Sequence, residues 1–336
     1  MGELNVLYAF NDKYAPFAGV SILSLLMNNK SMDRIRLFCV IDSVSKENID
    51  KLRITVADFA REIVLIDATD VNNILEKLGV PQYRGSYATH YRKFFHLFLP
   101  EDVHRLLYID SDSIVPGDLS DLATKDFMEK CVMVSLDTLG QRYKELLGFQ
   151  PEETYFNAGV TFIDVDAWKE RKYAERLIDH ITNIRSSYCN PDQDLFNLVV
   201  KDDTLTIGPE YNFQPVHRVY SDKLYFRNYP RIGYYSSEEI EYARQNPKII
   251  HAYRYMGEFP WHKGNVHPDN DIFDSYLERS LWSDYEKKRA KKGIIIAIEK
   301  AMYIVLPKCV FLPFFKVALY NSFKRKNRLL MECQNG

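Results

Sequence analysis

The chain has 336 residues and a net charge of −2, enough length for about two domains or one large α/β domain. With 46% hydrophobic and 27% charged residues it has a globular composition that argues against global disorder, and the balanced total argues against polyanion binding by the chain as a whole. Five widely spaced cysteines, Cys39, Cys131, Cys189, Cys309 and Cys333, form no Cys-x-x-Cys pair, which argues against a disulfide framework and a cysteine zinc site.

In chain order, Leu4–Ala9 is a short apolar run suited to a buried parallel strand. A loop over Phe10–Ala15 leads to a helix over Pro16–Asn29, with Val20, Leu23, Leu26 and Met27 at helical spacing. Ile35–Ile41 predicts the next strand, Ser45-x-x-Asn48 the start of a helix to about Phe59, and Ile63–Asp67 a third strand. Val71–Lys77 and Thr89–Leu99 read as helices, and Arg105–Asp110 as a strand that ends in polar residues. Further on, Val132–Leu136 and Gly159–Asp164 predict strands, Val165–Ile184 and Asp194–Val200 helices, and Ile249–His251 a strand end. The alternation predicts an α/β fold with a mixed, mostly parallel central sheet. The start MGELNVLYAF has no basic segment leading into a long apolar run, so no secretory signal and a reducing, cytoplasmic location are expected.

The strongest chemical signal is Leu106-Leu107-Tyr108-Ile109-Asp110-Ser111-Asp112. An apolar strand delivers two carboxylates to its C-terminal edge, where open α/β sheets bind ligands. Asp110 and Asp112 share a face if the extended form persists, giving two hard oxygen ligands for Mn²⁺ or Mg²⁺; the alternative is a solvated acidic turn. In Tyr155-Phe156-Asn157-Ala158-Gly159, Asn157 is a candidate for a sugar hydroxyl and Gly159 for a close approach. Asp192-Gln193-Asp194 precedes an apolar helical pattern, and one of its carboxylates could cap the helix. His251 ends a strand and is a candidate metal ligand.

Together VLYAFNDKYAPFAGVSILSLL, LLYIDSD, YFNAGVTFIDVDAW, DQDLFN and IIH…PW, in this order over residues 4–264, resemble the retaining glycosyltransferases of family 8, which include bacterial lipooligosaccharide galactosyltransferases, lipopolysaccharide glucosyltransferases and glycogenin. The resemblance implies a single GT-A-like, Rossmann-like nucleotide-sugar-binding domain over 1–286. It implies that Asp110, Asp112 and His251 hold Mn²⁺ or Mg²⁺ against the diphosphate of a UDP-sugar. It places Ala9 and its loop at the uridine, and Arg92, Ser111 and Asp137 on the donor with Asn157. It places Asp192 and Gln193 nearest the reacting sugar carbon. This chain has Asn11 where many relatives have Asp, so Asp12 is expected to take over; Lys13 replaces the family's Asn. The usual His-x-x-Gly-x-x-Lys-Pro-Trp is stretched to HAYRYMGEFPW, with Phe259 in place of the phosphate-binding Lys, and Lys263 or Arg254 is expected to substitute.

Charge is divided unevenly. Residues 287–331 carry twelve Lys or Arg against Glu299 alone, a net of +11, whereas residues 1–286 carry 32 basic and 44 acidic residues, a net of −12. Basic residues interleaved with IIIAI, MYIVL, VFLPFF and VALY, with no uncharged run long enough to span a bilayer, predict that 287–336 is a helical extension docking on anionic membrane; the alternative is a packed subdomain. Pro307 and Pro313 are both expected to break the helix. Nucleic-acid binding is not expected, because large aliphatics dominate the basic stretch and the acidic body repels phosphate.

The resulting expectation is a metal-dependent retaining transferase at the inner face of the cell membrane, moving glucose or galactose from a UDP-sugar donor to a glycan or glycolipid acceptor. The competing expectation is a degenerate nucleotide-sugar-binding or scaffolding module, suggested by Asn11, Lys13 and Phe259. Acceptor contacts are expected in the Tyr-rich 211–235 stretch and after the Asp-x-Asp motif.

Overall fold

The computed structural model describes residues 2–80, 82, 86–185 and 187–334. Its centre is a seven-stranded sheet in the order β3-β2-β1-β4-β7-β6-β8. The strands are β1 (Glu3–Asn11), β2 (Arg34–Asp42), β3 (Glu62–Asp67), β4 (Arg105–Ile109), β6 (Val132–Leu136), β7 (Phe156–Asp164) and β8 (Thr204–Thr206). A separate two-stranded ribbon pairs β5 (Ser113–Ile114) with β9 (Ile250–His251). β7 is antiparallel to both neighbours, while the other pairings in the sheet are parallel.

Alternation along β1 sends Val6 and Tyr8 into one core and Leu7 into the other, so each face of the sheet is covered. One core holds the Ala15–Asn28 helix, in which every residue from Ala15 to Leu26 is buried and only Met27 and Asn28, at its end, are half-buried. Gly19 permits this: a Cβ there would lie 2.1 Å from the Trp282 ring. The opposite core holds Trp168, Phe196, Phe94 and Phe95.

The expected strands are all present, β7 beginning three residues earlier than the sequence suggested. Ser45 caps the Lys46–Ala57 helix by accepting from the Asn48 N–H. The segment Thr89–Leu99 is not an α-helix but two 3₁₀ turns, Ala88–Lys93 and Phe95–Leu97. Six consecutive residues, His90–Phe95, are buried, which an amphipathic helix with one solvent face cannot achieve. Val165–Ile184 is divided after Val165–Glu170, because Lys172 takes a left-handed conformation at φ 53°. The next helix begins at Pro191 rather than Asp194, since proline suits the first helical turn; Asp192 and Gln193 therefore lie within it.

The basic segment forms two helices, Ile294–Val305 and Lys308–Gln334. Pro307 separates them. Pro313 lies inside the second helix without ending it: the helix runs through that position to Gln334. Contrary to a purely peripheral tail, these helices pack on the body: Phe311 and Leu312 are buried among Tyr255, Tyr303, Tyr220 and Tyr225. Phe311 is therefore not available for insertion between lipid head groups. Lys292 and Lys300 both reach the buried Glu258 carboxylate.

Candidate active site

Sheet topology assembles the site. Because β7 runs against β4, its first residues lie beside the C-terminal end of β4: Ile109 pairs with Val160, and the Asp110 N–H donates to the Gly159 carbonyl at 2.7 Å. β6 ends at the same edge, where the Asp137 N–H donates to the Tyr155 carbonyl. Ser111 Oγ donates to the Ala9 carbonyl at the end of β1. The β5–β9 ribbon places Ser113 opposite His251. Residues far apart in sequence thus converge on one sheet edge, the usual ligand edge of α/β folds.

Asp110, Asp112 and His251 form a cluster whose ligand atoms all lie within 4.8 Å of one another. His251 Nε2 faces Asp112 at 3.3 Å and Asp110 at 3.7 Å. Its Nδ1 is paired with Asn157 Oδ1 at 2.9 Å, which fixes the ring and leaves Nε2 toward the carboxylates. Two carboxylates and one imidazole, oriented from behind and facing a cavity, fit Mn²⁺ or Mg²⁺. The charges respond to one another. Burial pushes the Asp110 carboxyl up, Arg92 opposes, and the net direction is upward. Burial also disfavours the Asp112 carboxylate, but His251 outweighs it and the net direction is downward.

Gly159 makes the arrangement possible. A Cβ there would stand 2.0 Å from His251 Cε1 and 2.8 Å from Asp110 Oδ2. Gly159→Ala should therefore displace the imidazole and weaken Mn²⁺ binding about 10–100-fold, the range for losing ligand orientation. Calorimetric titration with Mn²⁺ checks this; unchanged affinity would remove His251 from the ligand set.

Arg92 organises the next layer. Its guanidinium donates to Asp110 Oδ1 at 2.8 Å and to the Ala158 carbonyl at 2.7 Å, pairs with Asp192 at 3.2 Å, and lies 4.5 Å from the Tyr108 ring centroid. Burial opposes its charge, but Asp110, Tyr108 and Asp192 outweigh burial. Asp192 is likewise penalised by burial yet kept below the ordinary carboxylate range by Arg92 and Lys93. Burial lowers the Lys93 ammonium to about 7.

Gln193 is held at three points. Its Oε1 accepts from the Ala158 N–H, and its Nε2 donates to Asp137 Oδ2 and Tyr155 Oη. Asp137 Oδ2 also accepts from Asn157 Nδ2 at 2.8 Å. Asn157 Oδ1 accepts from the Gly159 N–H and Asn212 as well as pairing with His251. The Asn157 carboxamide is thus engaged at both ends within the protein, positioning His251 and Asp137, and it also lines the larger cavity described next.

Two cavities meet at the acidic cluster. One, about 490 Å³, is lined by Asp137, Asn157, Asp192, Gln193 and His251, by Tyr220, Tyr225 and Tyr229, and by Leu312, Phe315, Leu319 and Phe323 of the last helix. The other, about 410 Å³, is lined by Ala9, Asn11, Asp42, Tyr91 and Ser111. Both touch Arg92, Asp110 and Asp112.

Asp12 and Lys263 are not brought to these cavities. Asp12 accepts from the Ser45 N–H and Asn48 Nδ2, fastening the β1 loop to the following helix. Lys263 is exposed, its N–H bonded to the Lys288 carbonyl. Arg254 lines the larger cavity instead. Phe259 stacks on Trp261 at 4.4 Å, and Trp261 stacks on Phe17 at 3.8 Å. The Tyr-rich stretch does supply cavity wall, whereas Ser113 and Ile114, just after the Asp-x-Asp motif, are in the ribbon. Sequence reasoning missed the last helix as cavity wall, and it missed Asn212 and Tyr155 as fasteners. Tyr155 stood within a recognised motif; nothing in the spacing around Asn212 distinguished it.

The sequence profile described as Glycosyl transferase family 8 matches residues 5–264. A lipopolysaccharide 1,2-glucosyltransferase of Escherichia coli (strain K12) is 27% identical over 87% of this chain and 82% of its own length. General stress protein A of Bacillus subtilis (strain 168) is 25% identical over 83% of this chain and 95% of its own. Among solved structures, the galactosyltransferase LgtC superposes with a TM-score of 0.65 at 20% identity, covering 83% of this chain and 96% of that one. The bifunctional glycosyltransferase WbbM gives 0.71 at 21% identity over 84% of this chain, which spans 51% of that protein. The fold is GT-A-like, and the chain belongs to glycosyltransferase family 8.

Proposed function

We propose that this glycosyltransferase is metal-dependent and retaining, and moves glucose or galactose from a UDP-sugar to a glycan or glycolipid acceptor at an anionic membrane surface. The observation that carries this reading is the Asp110–Asp112–His251 cluster standing between two cavities. The cavity beside Ala9 and Asn11 takes the uridine, and the larger one takes the donor sugar and the acceptor. The name of the Escherichia coli relative supports a hexose donor and a lipopolysaccharide-type acceptor.

A divalent ion held by the cluster would supply Lewis acidity toward the departing diphosphate. Arg92, fixed between Asp110 and Asp192, adds positive charge beside that leaving group. Asp192, ionised at the start of its helix, stabilises the positive charge that develops on the sugar ring. Gln193 is a neutral amide and a poor nucleophile. We therefore favour attack on the face from which UDP leaves: the bond from the sugar carbon to UDP breaks, the acceptor oxygen bonds to that carbon, and the hydroxyl proton passes to the diphosphate.

Asp192→Asn should lower turnover about 100-fold or more with little change in UDP affinity, because the charge acts mainly in the transition state. Single-turnover kinetics alongside UDP calorimetry separates the two. Collapse of UDP affinity with turnover at saturation preserved would assign Asp192 to the nucleotide instead. The reading as a whole is tested by UDP-sugar hydrolysis across a donor panel with Mn²⁺. Tight nucleotide binding without hydrolysis of any donor, and without transfer to a supplied glycan, favours the binding-module alternative that Phe259 and Asn11 raise.

A further inference from the structure

A third cavity, of about 240 Å³, adjoins the larger one across the last helix. The two share Leu139, Tyr229, Leu319 and Phe323 as wall. Beyond that wall the lining changes character. It contains Gln141, Arg142, Asn228, Lys316 and Tyr320, and no carboxylate. Among the described residues, neither Arg142 nor Lys316 is paired with an acid. Arg142 instead lies 5.6 Å from the Tyr320 ring centroid. Both amide atoms of the Gln141 side chain are buried with no hydrogen-bond partner. An amide left unmet in this way is destabilising unless a ligand completes it. The common wall is closely fitted: a Cβ on Gly140 would stand 2.8 Å from Tyr229 Cδ1.

We propose that this third cavity binds the part of the acceptor remote from the reacting hydroxyl, and that this part is a sugar carrying an anionic substituent, a phosphomonoester or a carboxylate. The assignment rests on the transferase reading and deepens it. Tyr229 and Tyr320 offer faces for a pyranose ring. Gln141 supplies a donor and an acceptor for hydroxyls. Arg142 and Lys316 supply charge-assisted donors for the anion. The acceptor would then pass from the acidic cluster, over Tyr229, into a basic recess bordered by the last helix.

The test uses the full chain saturated with UDP and Mn²⁺, titrated with glucose 6-phosphate, glucuronate, glucose and inorganic phosphate and followed by saturation-transfer NMR. At least one of the two anionic sugars should bind, about tenfold tighter than glucose or phosphate, and the better of the two names the substituent. Arg142→Ala and Lys316→Ala should each weaken that sugar about tenfold, the range for losing a charge-assisted hydrogen bond, with UDP affinity unchanged. Gln141→Leu should weaken it as well, without lowering the melting temperature. Glucose binding as tightly as the anionic sugars overturns the charge assignment. Phosphate accounting for all the binding overturns the saccharide site, as does indifference to the three substitutions. Intact UDP binding without anionic-sugar binding overturns only this cavity's role, whereas absence of UDP–Mn²⁺ binding overturns the transferase reading.

Discussion

Asp112→Asn should lower Mn²⁺ affinity at least about 100-fold, make residual UDP binding independent of metal, and remove UDP-sugar hydrolysis. The substitution keeps the shape of the side chain and removes its charge. The turn that carries it should persist, because the Asp112 carbonyl accepts from the Ala252 N–H independently of the side chain. Loss of a partner that merely orients a ligand typically costs 10–100-fold, so loss of an anionic ligand should equal or exceed that. Asn157→Ala provides the internal comparison. It releases His251 Nδ1 without removing a proposed ligand, and its effect should fall within the smaller range. Calorimetry with Mn²⁺, with and without UDP, reads both variants. Equal Mn²⁺ dependence in the wild type and Asp112→Asn would sink the metal assignment.

The site was readable from the sequence where one local pattern carries both structure and chemistry. LLYIDSD is an apolar strand followed by acids, and the structure puts those acids at the sheet edge where such a strand must end. The Asn157 and Gly159 pair was visible, but its use was not. Whether Gly159 admits a substrate or a side chain depends on what the antiparallel β7 brings beside it, and that is His251. Strand direction is a tertiary fact, absent from a period-2 pattern. The Thr89–Leu99 segment was misread for a related reason. The sequence suggests a helix there, yet His90–Phe95 are all buried and the chain tightens into 3₁₀ turns. Asp12 had a plausible charge at a plausible place; only the approach of Ser45 and Asn48 uses it for structure. The basic segment was legible as charge and hydropathy but not as a wall, because Leu312, Phe315, Leu319 and Phe323 meet the cavity through contacts with residues about a hundred positions away.

That wall changes how membrane docking must be tested. Truncation after Tyr285 would strip Lys292 and Lys300 from Glu258, whose side chain is only 3% exposed. Breaking a buried ion pair costs on the order of 3–5 kcal/mol, and the large apolar contacts of Phe311 and Leu312 would go too, so truncation should destabilise the body. A sharper experiment uses what the helices leave outside. No helix among the described residues is long and apolar enough to cross a membrane, but Ile294, Ile295, Ile298, Val305 and Phe314 are all more than half exposed. Val310, Phe314 and Val317 recur at helical spacing, and the same spacing continues into the exposed Lys324, Arg325 and Arg328. An apolar stripe leading into a basic one fits an interfacial helix. Each basic residue near anionic lipid contributes about 1 kcal/mol, within a Debye length of about 8 Å. Combining Ile298→Glu with Phe314→Glu should reduce co-sedimentation with anionic vesicles at least about tenfold, while melting temperature changes little and UDP affinity holds, because both side chains are already more than half exposed. Replacing Lys324, Arg325 and Arg328 by Gln should weaken binding to anionic vesicles only at low salt and leave neutral vesicles unaffected. A wild-type chain that ignores anionic vesicles, or a double-Glu variant that binds them as well as the wild type, would leave these helices with packing and cavity closure as their role.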